Sequence, residues 1–350
     1  MLDLNYEPSI FVPNIDLLSE DEWLAERRKG IGGSDAGIVM GVSPFKTPRE
    51  LWHDKKGLLQ KSEEDVETWL KFKFGHENEK LIAALFEQVT GYRVFSIRSM
   101  FQHPKYPFML ADVDFFVEMP DGRIFILECK TCDPETLQKK WGSPDDDKVP
   151  EPYQWQCVHY MATTNIDGVF IVCLAAGGMK YYRQRFISRD LAKEETLIRE
   201  EEKFWYQVQN DIKPPFNMPN TKREKEFLNR MYPVSSEEIV LDDELAGNVS
   251  QYLTMQVEKT RLENEAKELK ARMDGLMLPV LESLKGAQGK IVVDGTRYEL
   301  KQKVTTRRGI FGDNLKRLKE DHPEIYAGYL GVSESRSFDV SPYTYNMKGL

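Results

Sequence analysis

Nothing in this chain of 350 residues is long and greasy enough to span a bilayer. Its longest apolar runs, Gly168 to Ala176 and Leu276 to Leu281, fall far short of the roughly 20 residues needed. Cysteine is scarce, at four residues, and with no export signal in view that number predicts no disulfide framework. The N-terminal stretch carries Asp3, Glu7 and Asp16 and lacks a basic cluster, so no signal peptide is expected there. Together these features predict a soluble cytoplasmic protein. An excess of positive charge is missing too, since 48 Lys and Arg against 57 Asp and Glu leave a net charge of −9. That argues against a surface coated in cation for non-specific nucleic-acid binding. It leaves room for a local cationic channel, because screening confines each patch to ~8–10 Å.

What is present is a core. Hydrophobic residues make up 41%, with 18 Phe, 15 Tyr and 6 Trp, which excludes global disorder. The length exceeds what one core usually serves and predicts a large domain plus an accessory part. Glu20 to Lys29 reads as a helix broken by Gly30-Ile31-Gly32-Gly33, with Ser34-Asp35 as the cap of a short helix from Ala36 to Met40. Thr47-Pro48 opens another. Thr68 to Thr90 has helical spacing and is stopped by Gly91. From Phe108 to Cys132 the pattern switches to short strands, and Pro120-Asp121-Gly122 marks a turn between Asp114–Val117 and Arg123–Cys129. A helix after Pro150 and Pro152, strands at Val169–Ala175 and Tyr181–Ile187, and a charged helix from Arg189 to Asn210 complete the unit. The stretch from Lys213 to Asn220 reads as the domain boundary, giving a first domain over 1–218 and an accessory region over 219–350. Beyond it Leu245, Tyr252, Met255, Leu262, Ala266, Leu269, Met273 and Leu276 follow a loose heptad, broken by Lys259. That pattern predicts a long helix packed on another helix, followed by a small hairpin around Asp294-Gly295.

Chemistry concentrates at the first hairpin. Folding it about Asp121 sets Asp114 opposite Glu128, where cross-strand Cβ atoms lie ~4.5–5.5 Å apart and like charges are destabilising. Side chains alternate along a strand, so Glu128 and Lys130 share a face and Cys129 points away. A hard divalent cation would relieve the carboxylate repulsion, and mostly oxygen ligands with an open coordination sphere favour Mg²⁺ or Mn²⁺. An isolated Glu-x-Lys is commonly an ordinary surface pair. Here it ends the apolar run Ile124, Phe125, Ile126, Leu127, where ionisable groups need a reason. Asp112 competes with Asp114 for the acidic role.

An acidic residue followed by Glu-x-Lys at a hairpin's end resembles the PD-(D/E)xK nuclease superfamily, and the surrounding text is similar to its lambda-exonuclease and YqaJ-type viral recombinase branch. Trp23-Leu24-Ala25-Glu26-Arg27 with Gly30 to Ala36 resembles the family's N-terminal motif. Gly75-His76-Glu77-Asn78-Glu79 resembles a helix that supplies an extra acidic ligand. Ala111-Asp112-Val113-Asp114 and Glu128-Cys129-Lys130 match the core, and Gln156 to Tyr160, with Met161, a glutamine-rich helix. The resemblance spans roughly residues 20 to 210. It implies an α/β fold with a restriction-endonuclease-like core, a central mixed β-sheet flanked by helices, plus a C-terminal helical extension with a small β-hairpin.

It further implies a Mg²⁺-dependent exonuclease of phage or prophage origin, acting 5′ to 3′ on linear double-stranded DNA in the host cytoplasm and leaving 3′ tails for a single-strand annealing protein. Asp114, Glu128, Glu79 and the backbone carbonyl of Cys129 would hold the metal, with Glu77 competing for the place of Glu79. Lys130 would position or deprotonate water. Gln156 matches a polar active-site residue that Tyr160 would support, and Arg27, Ser34 and Tyr160 would contact the DNA 5′-phosphate or backbone. A homo-oligomer, often a trimer, is also implied. The alternatives are an endonuclease on the same fold and a non-catalytic DNA-binding or adaptor protein. Cys129 and Cys132 formally make a C-x-x-C without the second pair that zinc would need, and His53, His76, His103, His159 and His322 show no ligand spacing. Lys222-Arg223-Lys225 and Lys301-Lys303-Arg307-Arg308 are candidate DNA-gripping clusters, or solvated surface.

Overall fold

The computed structural model describes residues 2, 4–59, 66–176, 178–235, 237–294, 296–300 and 313–328. The chain divides into one unit over Met1–Ser235 and a second over Ser236–Leu350.

The first unit opens with edge strand β1 (Ser9–Val12). Ser19 then caps α1 (Glu20–Arg27) in a reciprocal box, the Ser19 N–H donating to Glu22 Oε2 at 2.8 Å. Helix α2 (Gly33–Val39) starts earlier than the sequence places it: Asp35, not Ser34, folds back and accepts the Gly32 N–H at 3.0 Å, so the cap moves to Gly32. Thr47 caps α3 (Pro48–Lys55), with Pro48 in its first turn as expected. Next come α4 (Val66–Thr90), ended by Gly91 at φ +73°, and strands β2 (Arg93–Phe95), β3 (Met100–Gln102) and β4 (Leu110–Asp112).

The hairpin follows as β5 (Phe115–Glu118) and β6 (Ile124–Cys132), turning through Gly122 at φ +83°, a conformation that favours glycine. A short α5 (Pro134–Thr136) leads to α6 (Glu151–Thr164), β7 (Gly168–Ala175), β8 (Tyr182–Ser188) and α7 (Leu191–Gln209). Five strands form a mixed sheet in the order β2-β5-β6-β7-β8. Only β6 and β7 run parallel, and the connection between them carries α6 across one face. On that face Cys157, Val158 and Met161 pack against Phe116, Ile126, Val169 and Ile171. On the other, Ile82, Ala83 and Phe86 of α4 pack against Val117, Phe125, Leu127 and Val172. The fold class is therefore the expected one, a mixed sheet flanked by helices with the acidic hairpin at its centre. No described helix is long and apolar enough to cross a membrane.

The Pro-rich stretch after α7 does not act as a linker. Arg49 Nε donates to the Pro214 carbonyl at 3.0 Å, its guanidinium lies 3.8 Å from the centre of the Phe216 ring, and Asn217 Nδ2 donates to Gly41 O at 3.1 Å. Helix α8 (Thr221–Met231) then buries Phe227, and its Arg223 and Arg230 pair with the buried Glu50. The division consequently falls after Ser235, not after residue 218. Of the basic cluster at 222–225, Arg223 is spent on Glu50, and the cluster at 301–308 lies outside the described residues.

The second unit contains α9 (Ala246–Leu284), the antiparallel hairpin β9 (Gly289–Val293) and β10 (Thr296–Leu300), and helices α10 (Asp313–Asp321) and α11 (Pro323–Gly328). No residue of α9 is buried, so the helix-on-helix packing expected for it is not met within this chain's described residues.

Candidate nuclease site

The register of the β5–β6 hairpin decides the site. Phe115 faces Leu127 and Phe116 faces Ile126, so the next step up the ladder sets Asp114 against Glu128. Asp114 Oδ2 accepts the Cys129 N–H at 2.9 Å, which fixes this carboxyl beside the strand. Alternation along β6 then turns Glu128 and Lys130 toward α6, and turns Cys129 toward α4, where its thiol donates to the Glu79 carbonyl at 3.7 Å.

Glu128 is 2% exposed. Its Oε1 meets Lys130 Nζ at 2.6 Å and accepts from Gln156 Nε2 at 2.7 Å, whereas Oε2 is buried without a hydrogen-bond partner. Gln156 and Tyr160 sit one helical turn apart on α6. Gln156 Nε2 also donates to Tyr160 Oη at 3.1 Å, and that hydroxyl donates to the Asp112 carbonyl at 3.0 Å. Tyr160 fits because Gly33 of α2 has no side chain: a Cβ there would stand 2.4 Å from the tyrosine ring. Lys130 Nζ lies 4.8 Å from the centre of the Tyr153 ring, on the same face of α6.

The electrostatics show the strain expected of gathered carboxylates. Burial, then the charges of Glu128 and Glu79, push Asp114 well above the usual carboxylate range. Burial also raises Glu79, with Glu128 adding to it and the neighbouring His76 opposing. Burial alone would lower Lys130, but Glu128 and Asp114 override it and hold the ammonium above its ordinary range. Glu79, with a quarter of its side chain exposed, leans on His76 Nδ1 at 3.3 Å; Glu77 points outward and pairs with Lys73 at 2.9 Å. Of the two, Glu79 is the one whose charge reaches Asp114 and Glu128. Asp112, by contrast, is engaged by the Trp23 indole, whose N–H donates to Oδ2 at 2.9 Å.

Arg27 and Ser34 also meet. Arg27 Nη2 donates to Ser34 Oγ at 2.7 Å, and the guanidinium lies 4.7 Å from the centre of the Trp23 ring. Ser34 caps nothing, so its exposed hydroxyl is available beside a cation. Trp23 links this pair to the strand that leads into Asp114. Beneath it the Asp35 carboxylate receives Lys55 Nζ at 2.7 Å; burial would raise its pKa, but Lys55 and Arg27 hold it well below the usual range.

The donor set suits a hard cation: two carboxylates held side by side at a strand end, a third on α4, and one buried oxygen with nothing to accept from. Among the described residues no three His, Cys, Asp or Glu side chains are already gathered in ligating geometry. Asp114 Oδ2 accepts the Cys129 amide and Glu79 leans on His76, so the three carboxylates do not converge on one point. The C-x-x-C reading is not met, since Cys129 faces α4 while Cys132 Sγ lies 3.4 Å from Cys173 Sγ, all as free thiols.

Sequence reasoning gave no site role to Trp23, which it quoted only within the N-terminal motif, or to Tyr153. Tyr153 carries a usable signal, since it shares a helical face with Gln156 and Tyr160; the indole's partner had none.

Residues 22–167, which hold every site residue named above, match the YqaJ-like viral recombinase domain. The chain is also similar to YqaJ of Bacillus subtilis (strain 168), 31% identical over 328 residues that cover 92% of this chain and 94% of that protein. Among solved structures it resembles an alkaline exonuclease from Laribacter hongkongensis, with 21% identity, 59% of this chain and 99% of that one covered, and a TM-score of 0.44. A phage-related exonuclease from Haemophilus somnus 129PT follows at 14% identity, 52% and 96% coverage, and a TM-score of 0.38. With sequence identity sustained over nearly its whole length and the domain match enclosing the acidic hairpin, this chain belongs to the YqaJ-like viral recombinase family.

Proposed function

We propose that this chain is a metal-dependent deoxyribonuclease that digests linear double-stranded DNA from its 5′ ends and leaves 3′ single-stranded tails for an annealing partner. The observation that carries the reading is the buried, unpartnered Oε2 of Glu128, set beside Asp114 and Lys130 at one strand end. A buried charged oxygen with nothing to accept from is costly unless a ligand completes it.

Asp114, Glu128, Glu79 and the Cys129 carbonyl would hold the cation, Mg²⁺ or in its place Mn²⁺. When bound, the metal supplies charge neutralisation at the phosphate and a more acidic water. The chain's own residues do the rest. Lys130, kept cationic by its carboxylate neighbours, orients a water or a phosphate oxygen. Gln156 holds Glu128 Oε1 in place, and Tyr160 anchors Gln156 to the strand below. Arg27 and Ser34 offer a guanidinium and a hydroxyl for a terminal phosphate, the geometry in which arginine binds phosphate well.

The test is digestion of a linear duplex labelled at one 5′ or one 3′ end, beside a closed circle, with Mg²⁺ or with EDTA. Early release of the 5′ label from linear DNA, only with metal, is the expected result. Early release of the 3′ label would reverse the polarity, and nicking of the circle would make the protein an endonuclease. No cleavage of any substrate with any divalent metal would leave a DNA-binding adaptor.

A further inference from the structure

The long helix α9 exposes an apolar row that no described residue of its own chain buries. It runs for 39 residues, none of them buried, with Met255 at 68%, Leu262 at 50%, Leu269 at 56%, Met273 at 59% and Leu276 at 77% exposure. A helix of this length draws its stability mainly from packing its apolar face. The row has heptad spacing: Lys259, Ala266, Met273 and Val280 fall at one core position, and Met255, Leu262, Leu269 and Leu276 at the other.

The charges that flank this seam decide what covers it. Glu263 and Lys270 follow the second core position, while Glu258, Glu265 and Arg272 precede the first. In a parallel pair of identical helices Lys259 would stack on Lys259 of the second copy inside the core, and Glu258 would face Glu263. In an antiparallel pair centred between Lys267 and Glu268, Lys259 instead lies opposite Leu276, and small Ala266 opposite Leu269. Glu263 then faces Lys270 of the second copy and Glu265 faces Arg272, each contact occurring twice. Sliding by one heptad destroys this match. Centring on Asn264 sets Glu263 and Glu265 against their own copies, and centring on Ala271 does the same to Lys270 and Arg272.

We propose that α9 is a self-association element, pairing with α9 of a second copy as an antiparallel two-stranded coiled coil on a two-fold axis between Lys267 and Glu268. The within-helix pairs Lys259–Glu263 at 3.4 Å and Lys270–Asp274 at 3.0 Å do not oppose this. They lie on an exposed surface where such pairs contribute little, so both residues are free to re-pair. A two-fold contact of this kind closes on itself as a dimer.

The experiment is light scattering on the full chain, with disulfide trapping of single-cysteine variants to read orientation. A dimer or an even multiple is expected. Leu262→Glu with Leu269→Glu, which places charge in the seam, should raise the dimer dissociation constant at least about 100-fold. Met255→Cys chains should cross-link when mixed with Val280→Cys chains and not with themselves, against the wild-type cysteines as background. A monomer, the trimer implied by the family resemblance, a dimer indifferent to the paired substitution, or self-linking of Met255→Cys would each overturn the proposal.

Discussion

Beneath the site, His159 and Glu201 join α6, α7 and β4, and removing the charge on Glu201 tests whether that clamp supports the hairpin. Both side chains are fully buried, with Nδ1 2.8 Å from Glu201 Oε1 and Nε2 2.9 Å from the Leu110 carbonyl. Both ring nitrogens face acceptors, so the ring donates from each and is an imidazolium. Burial would lower the pKa of His159, but Glu201, the Leu110 carbonyl and more distant Asp35 raise it above the ordinary value. Glu201→Gln keeps the size and a hydrogen-bond acceptor but strands the buried cation. Breaking such a pair costs about 3–5 kcal/mol, which for a unit of this size lowers Tm by roughly 6–20 °C.

A pH signature accompanies the loss. Because the folded pKa of His159 lies above the unfolded value of about 6.5, its contribution is complete below that pH and is lost as pH rises through the folded pKa. Wild-type stability should therefore fall with rising pH above about 6.5, and Glu201→Gln should flatten that slope. Thermal unfolding followed by circular dichroism from pH 6 to 9 reads both effects. A Tm change under about 2 °C, or an unchanged slope, would refute the buried ion pair.

Three further outcomes follow from the site and its surroundings. Gln156→Leu keeps the volume but removes the donor to Glu128 and Tyr160; it should lower cleavage about 10–100-fold and raise the Mg²⁺ needed for half-maximal rate, seen in a metal titration. Arg27→Gln should raise KM for 5′-phosphorylated ends about 10-fold or more while leaving 5′-hydroxyl ends unchanged, a comparison made on two otherwise identical duplexes. His103 Nδ1 accepts the N–H groups of Lys105 and Tyr106, and burial lowers its pKa to about 4. The native state therefore binds fewer protons between pH 4 and about 6.5, stability rises with pH over that window, and His103→Asn should remove this rise in an acid-denaturation series.

The parts legible in the sequence were those with local causes. The turn residues Pro120-Asp121-Gly122 fix the hairpin register, and the register alone sets Asp114 against Glu128. Thr47-Pro48 and Gly91 mark helix ends by steric rules that do not depend on the rest of the chain. The misplaced features depended on distant partners. Ser34 and Asp35 both have cap chemistry, but both fall inside the first turn of α2, where Asp35 accepts the Gly32 N–H and is held by Lys55 of α3, so the cap is Gly32. The Pro-rich stretch looked like a linker because Arg49, Gly41 and Glu50, which bind it and α8, lie far back in the chain. Tyr153 was legible as a helix residue, but its place over Lys130 needed the crossover that brings α6 onto the sheet.

Whether Glu128 carries the chemistry is read from the rate of phosphodiester cleavage of a linear duplex in Mg²⁺ by wild type and by Glu128→Gln, with the thermal unfolding of both recorded. Metal-dependent cleavage by wild type is expected, with its loss by a factor of about 1,000 or more in a variant that still folds, since charge at the reacting phosphate carries the catalysis. Equal rates for the two proteins, or wild-type cleavage that persists in EDTA, would contradict it.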